Sequence, residues 1–74
     1  MLRQYKCIAR ERMTTTTPII INASSPKEAA VKMGKQLGYQ CNTVDKTYEF
    51  DGSVPCCVAV YNVNNTVNYY NIRG

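Results

Sequence analysis

Whatever chemistry this chain can do rests on four cysteines, six tyrosines and five carboxylates, because its 74 residues include no histidine. Losing histidine removes the commonest general base and the usual Cys/His and Ser/His nucleophile pairs. The carboxylates are Glu11, Glu28, Asp45, Glu49 and Asp51. Glu28 belongs to a helix cap and Asp51 to a turn, and the other three show no catalytic spacing. Gly34, Gly38, Gly52 and Gly74 are too scattered to build a phosphate-cradling loop. The expectation is a protein that is not an enzyme and holds no cofactor.

Cys7, Cys41, Cys56 and Cys57 contain no Cys-x-x-Cys pair, and without histidine a structural zinc site is unsupported. Cys56 and Cys57 are strand neighbours and point to opposite faces. The thiols read as reduced, apolar core residues. Disulfides stay open on count alone. Asn22-Ala23-Ser24 and Asn64-Asn65-Thr66 match the glycosylation sequon, but local turn chemistry explains them better.

Nine basic against five acidic residues give a net charge of +4, which favours phosphate or acidic protein surfaces. Lys6, Arg10 and Arg12 share the parity opposite to Tyr5 and Cys7, so one side of the first strand is basic. Lys27, Lys32 and Lys35 fall on the outer side of the helix, and Arg73 follows Tyr69 and Tyr70 on the last strand. Tyrosine on a sheet stacks on bases or supplies contact area to a protein partner. The candidate binding residues are therefore Lys6, Arg10, Arg12, Lys27, Lys32, Lys35, Tyr69 and Arg73. The plainer reading makes the cations solvated outer faces and the rings core packing.

These residues must be positioned by one helix and a set of strands. Ser25 caps the helix, Pro26 opens it, and Glu28 completes a capping box by reaching back to the cap amide. Gly38 closes it, so the helix spans about 26–37. At 100° per residue, Ala29, Ala30, Met33 and Leu37 share one face with Gly34 at its border, a stripe small enough to lie close on a sheet. Val31 sits among the lysines as the one apolar misfit.

Residues 2–12 read as a strand, 13–17 as a polar connection, and Ile19-Ile20-Ile21 as a second strand in an antiparallel hairpin with the first. Residues 39–44 read as a strand or extended connector. Asp51-Gly52 predicts a tight hairpin between 47–50 and the residues from Ser53 onward. Strands over about 55–63 and 66–73 meet through a two-residue Asn64-Asn65 turn of type I′. That loop sets Tyr61 against Asn68, Ala59 against Tyr70 and Cys57 against Ile72, and puts Cys56, Val58, Val60, Val67 and Tyr69 on the other face. Both faces want cover, and one helix covers one of them. The second is then exposed or a contact surface.

The expectation is a single α+β domain over 1–74: an antiparallel sheet of four or five strands with one helix on one face, in the order β-β-α-β-β-(β). A chain this short buries only about 60% of its unfolded surface, so homodimerisation or partner binding is a natural supplement. No run approaches the roughly 18 apolar residues of a membrane span. Met1 to Lys6 is followed by no signal-like apolar run, so no membrane association and a cytoplasmic location are expected.

The strand running into a capped helix, Ile19-Ile20-Ile21-Asn22-Ala23-Ser24-Ser25-Pro26-Lys27-Glu28-Ala29-Ala30, resembles the architecture of small phage and mobile-element accessory proteins, some anti-CRISPR proteins among them. The resemblance implies an inhibitor that occupies a surface of a larger host complex that handles nucleic acid. It carries over no functional residue. Direct nucleic-acid binding and a structural, self-assembling role are the alternatives.

Overall fold

The computed structural model describes residues 1–12 and 14–74. Its elements are β1 (Arg3–Glu11), β2 (Thr14–Thr15), β3 (Ile19–Ala23), α1 (Pro26–Gln36), β4 (Thr43–Thr47), β5 (Cys56–Tyr61) and β6 (Val67–Arg73). Among the described residues they form one helix and one six-stranded antiparallel sheet of order β2-β1-β5-β6-β4, with β3 also paired to β1.

The α+β class is as expected, but the strand count is higher because the first hairpin is interrupted. Between Cys7↔Ile19 and Arg10↔Thr15 the returning chain carries one extra residue, a bulge. The regular ladder is broken over these residues. Thr16 fills the gap instead, donating its N–H to Ala9 C=O at 2.8 Å and accepting from Ala9 N–H on its hydroxyl at 3.0 Å. The polar connection expected at 13–17 begins at Met13, outside the described residues. Its remainder is β2 and the bulge.

Helix α1 starts and stops where capping chemistry requires. Ser25 is extended (φ −152°, ψ 160°) and its hydroxyl accepts from Glu28 N–H at 3.1 Å. The reciprocal half of the box differs from expectation. The Glu28 carboxylate takes the N–H of Ser24 at 2.9 Å, together with the Ser24 hydroxyl, one residue before the cap. At the other end Gly38 has φ +96°, and the N–H groups of Gly38 and Tyr39 bond Lys35 and Gly34 carbonyls, a Schellman motif. Ala29, Ala30, Met33 and Gly34 are buried against the sheet. Gly34 is required there: a Cβ would come within 2.7 Å of Ile72 Cδ1 and 2.8 Å of Cys41 Sγ.

Two turn expectations are corrected. The loop between β5 and β6 has three residues, 63–65. Asn62 N–H bonds Thr66 C=O at 2.9 Å, Asn65 N–H bonds Asn62 C=O at 3.0 Å, and Asn65 alone takes a positive φ, 65°. This is a type I turn with a left-handed closing residue, not the two-residue I′ turn. The register moves by one, to Tyr61↔Val67, Ala59↔Tyr69, Cys57↔Asn71 and Cys56↔Ile72. A one-residue shift turns every β6 side chain over. Tyr70 and Ile72 therefore join Cys56, Val58 and Val60 in the core under the helix. Tyr69, Asn71 and Arg73 face the other way, with Cys57, Ala59 and Tyr61.

The hairpin expected at Asp51-Gly52 does not form. Strand β6 lies between β4 and β5, which are consequently parallel to each other, and parallel strands cannot be joined by a two-residue turn. Residues 48–55 instead run back along β6 across the face opposite the helix. Phe50 meets Tyr69 edge to face at 5.2 Å, Asn71 Nδ2 donates to Asp51 Oδ2 at 3.3 Å, and the Cys57 thiol points to Glu49 C=O at 3.8 Å. Asp51 also accepts from Ser53 N–H and hydroxyl, at 2.9 and 2.6 Å, which folds the segment on itself.

Candidate functional site

The 48–55 segment covers only half of the second sheet face, and the uncovered half is the candidate site. Alternation along β1 sends Tyr5, Cys7 and Ala9 into the core and Gln4, Lys6, Ile8 and Arg10 outward. The register places Lys6 between Tyr61 on β5 and Ile20 on β3. Its ammonium lies 4.7 Å from the Tyr61 ring centroid, a cation–π contact worth about 0.5–1 kcal/mol at an exposed site.

Apolar side chains frame that cation. Ile20 is 58% exposed, Val63 88% and Val67 36%. Two shallow grooves flank Gln4, Asn62 and Val63. One of about 250 Å³ is lined further by Arg3, Tyr5 and Pro26, and one of about 240 Å³ by Lys6, Ile20 and Tyr61. Both fall below the roughly 300–1,000 Å³ of ordinary small-molecule pockets. The geometry suits a broad contact better than an enclosed ligand.

The structure divides the sequence-derived candidates. Lys6 and Arg10 share the second face, four steps apart along the strand, about 13 Å. Arg12 sits in the turn after β1 with φ 54°. Lys27, Lys32 and Lys35 lie on the helix, across the sheet from Lys6. Lys32 is committed locally: it pairs with Glu28 at 3.4 Å and donates to Asn22 C=O at 2.6 Å. Arg73 pairs with Asp45 at 3.6 Å. Tyr69 is half-buried and its ring meets Phe50 edge to face, on the half of the sheet that residues 48–55 cover. Tyr61, which the sequence reading passed over, takes the place given to Tyr69. Only the register across β1 and β5 could have found it.

Burial holds the thiols in their neutral form. Burial pushes the Cys7 thiol up to about 11 and the Cys56 thiol up to about 12, and raises Cys41 and Cys57 as well. Neutral thiols are poor nucleophiles and poor metal ligands, and all four are free. The Ser24 hydroxyl and N–H hold Glu28 below the usual carboxylate range, and Ser53 does the same for Asp51. Among the described residues, no three metal-ligating side chains cluster and no helix is long and apolar enough to cross a membrane. In comparisons with known proteins, the chain matches no family model, no curated protein and no solved structure.

Proposed function

We propose that this chain is a non-enzymatic binding module that docks on an acidic, partly apolar protein surface through the uncovered half of its sheet. The observation that carries this reading is the Lys6–Tyr61 pair set among Ile20, Val63 and Val67. An anchored cation among exposed apolar groups, with no acidic neighbour on that half, matches a partner with carboxylates around an apolar patch. The resemblance to small phage accessory proteins supplies the class of target, a larger host complex that handles nucleic acid. Occupying that surface is the inhibitory act.

Direct nucleic-acid binding is the second reading, and the distribution of cations weighs against it. Lys6 and Arg10 are on one side of the sheet and the helix lysines on the other, so no single groove gathers them. Affinity for a phosphate backbone scales with the number of cations engaged, with a salt slope of about −0.9 per phosphate neutralised.

Anisotropy with labelled single- and double-stranded DNA and RNA, at about 50 and 200 mM salt, separates the two. Absence of binding at both salts, with capture of a protein that Lys6→Glu and Tyr61→Ala lose and Lys27→Glu keeps, is the expected result. Oligonucleotide binding that collapses at the higher salt and needs Lys27 or Lys35 overturns it.

A further inference from the structure

The outer edge of β3 is a backbone surface with an unusual donor and acceptor pattern. Ala9 sets the direction of its polar groups. Because Ala9 exchanges both of its backbone bonds with Thr16, odd-numbered residues of β1 aim their N–H and C=O groups towards β3. In the register Tyr5↔Ile21 and Cys7↔Ile19, odd-numbered β3 residues answer them and even-numbered ones face outward. Two side-chain contacts agree with that parity. Glu28 takes the outward N–H of Ser24, and Lys32 takes the outward C=O of Asn22 at 2.6 Å. The Glu28–Lys32 pair thus closes the edge at its C-terminal end. Among the described residues, four backbone groups stay open: Pro18 C=O, both groups of Ile20, and Asn22 N–H. No charged residue lies on this stretch.

We propose that a second copy of this chain pairs along this edge, β3 against β3, antiparallel about a two-fold axis at Ile20. The two Ile20 residues exchange N–H and C=O. Asn22 N–H of each copy donates to Pro18 C=O of the other. The remaining ladder position asks for a Pro18 N–H to reach Asn22 C=O; proline has no such donor, and that carbonyl already holds Lys32. An arbitrary strand would leave an acceptor without a donor at Pro18 and aim a donor at the occupied carbonyl of Asn22. In self-pairing these two defects meet each other, so every open group is satisfied. The Ile20 side chains, exposed in one copy, lie opposite each other in the pair. Self-pairing does not rest on the proposed function, although it would join two Lys6–Tyr61 surfaces into one.

Both copies carry a net charge of +4, so added salt should strengthen the pair by screening, opposite in sign to phosphate binding. Sedimentation of the full chain from about 10 µM to about 1 mM tests this across the affinity range of small dimers. The expected result is a mass rising towards twice the monomer, more so at high salt, with Ile20→Pro weakening association at least tenfold. In the monomer that N–H bonds none of the described residues, so a proline there blocks pairing without removing a ladder bond. Amide exchange on the unaltered chain gives a readout independent of any variant. The Ile20 and Asn22 amides should gain protection with concentration while those of β4 do not change. A monomeric mass throughout, Ile20→Pro pairing as tightly as the parent, or protection at Ile20 and Asn22 independent of concentration overturns the proposal.

Discussion

Glu28 does three jobs that a sequence pattern assigns only in part. Its backbone N–H donates to the Ser25 hydroxyl, its carboxylate accepts from Ser24, and it pairs with Lys32. The Ser24 bonds lower its pKa from the ordinary 4.5, and Ser53 likewise lowers Asp51 from 3.8. A carboxyl whose folded pKa lies below its unfolded one stabilises the fold fully above the unfolded value, and that contribution disappears as pH falls through the folded value. Stability should therefore fall with acid below about pH 4.5. Glu28→Gln should flatten part of that fall, measured by urea unfolding between pH 2 and 6 on the ordinary carboxyl scale. An unchanged acid profile in Glu28→Gln would remove the capping carboxylate from the account. At the same scale the cysteines read as apolar thiols because neither histidine nor Cys-x-x-Cys spacing supports a metal site; the sequence left disulfides open, and in the structure all four are free.

At the scale of elements, the helix was readable and the turns were not. A cap, a proline and a closing glycine act within a few residues, so Ser25, Pro26 and Gly38 mark α1 without knowledge of the rest. The Asn64-Asn65 pair is compatible with two loop lengths, and the choice of three residues shifts β6 by one. Asn65, at φ 65°, is the residue that decides it. Asn65→Val should cost about 1–2 kcal/mol, because a β-branched residue is strained in the left-handed region. Asn65→Gly should be neutral or slightly stabilising. Thermal or chemical denaturation of the two variants checks the pair. Equal stability of both would mean that Asn65 does not hold the turn. This also accounts for part of the asparagine cluster: Asn62 and Asn64 bond Thr66 across the same loop, and Asn71 bonds Asp51.

For the whole molecule, the sheet has one face under the helix and half of the other under residues 48–55. Phe50 is one apolar contact of that second cover, edge-on to Tyr69. Phe50→Ala should destabilise the fold by about 2 kcal/mol, less than a fully buried phenylalanine because the residue is only partly buried. It should also open Cys57, which is fully buried in the native fold. Alkylation followed by mass spectrometry should show Cys57 reacting faster in Phe50→Ala while Cys7 and Cys56, under the helix, stay slow. Equal protection of Cys57 in both proteins would mean that the segment does not cover that face. The uncovered half carries Lys6, Tyr61 and Ile20.

By itself the sequence determined the helix and its bounds, the antiparallel pairing of the first two strands, the basic side of β1, and the lack of histidine-based chemistry. Each of these depends on residues close in the chain or on composition. Tertiary structure alone decided that β4 crosses to the far edge, that 48–55 covers the second face, that Tyr69 meets Phe50, and that Tyr61 supports Lys6. Those outcomes depend on which strands become neighbours and on a register fixed by one loop residue. A strand's own residues state only that two faces exist. Which face is buried, and by what, is set by contacts between segments far apart in sequence.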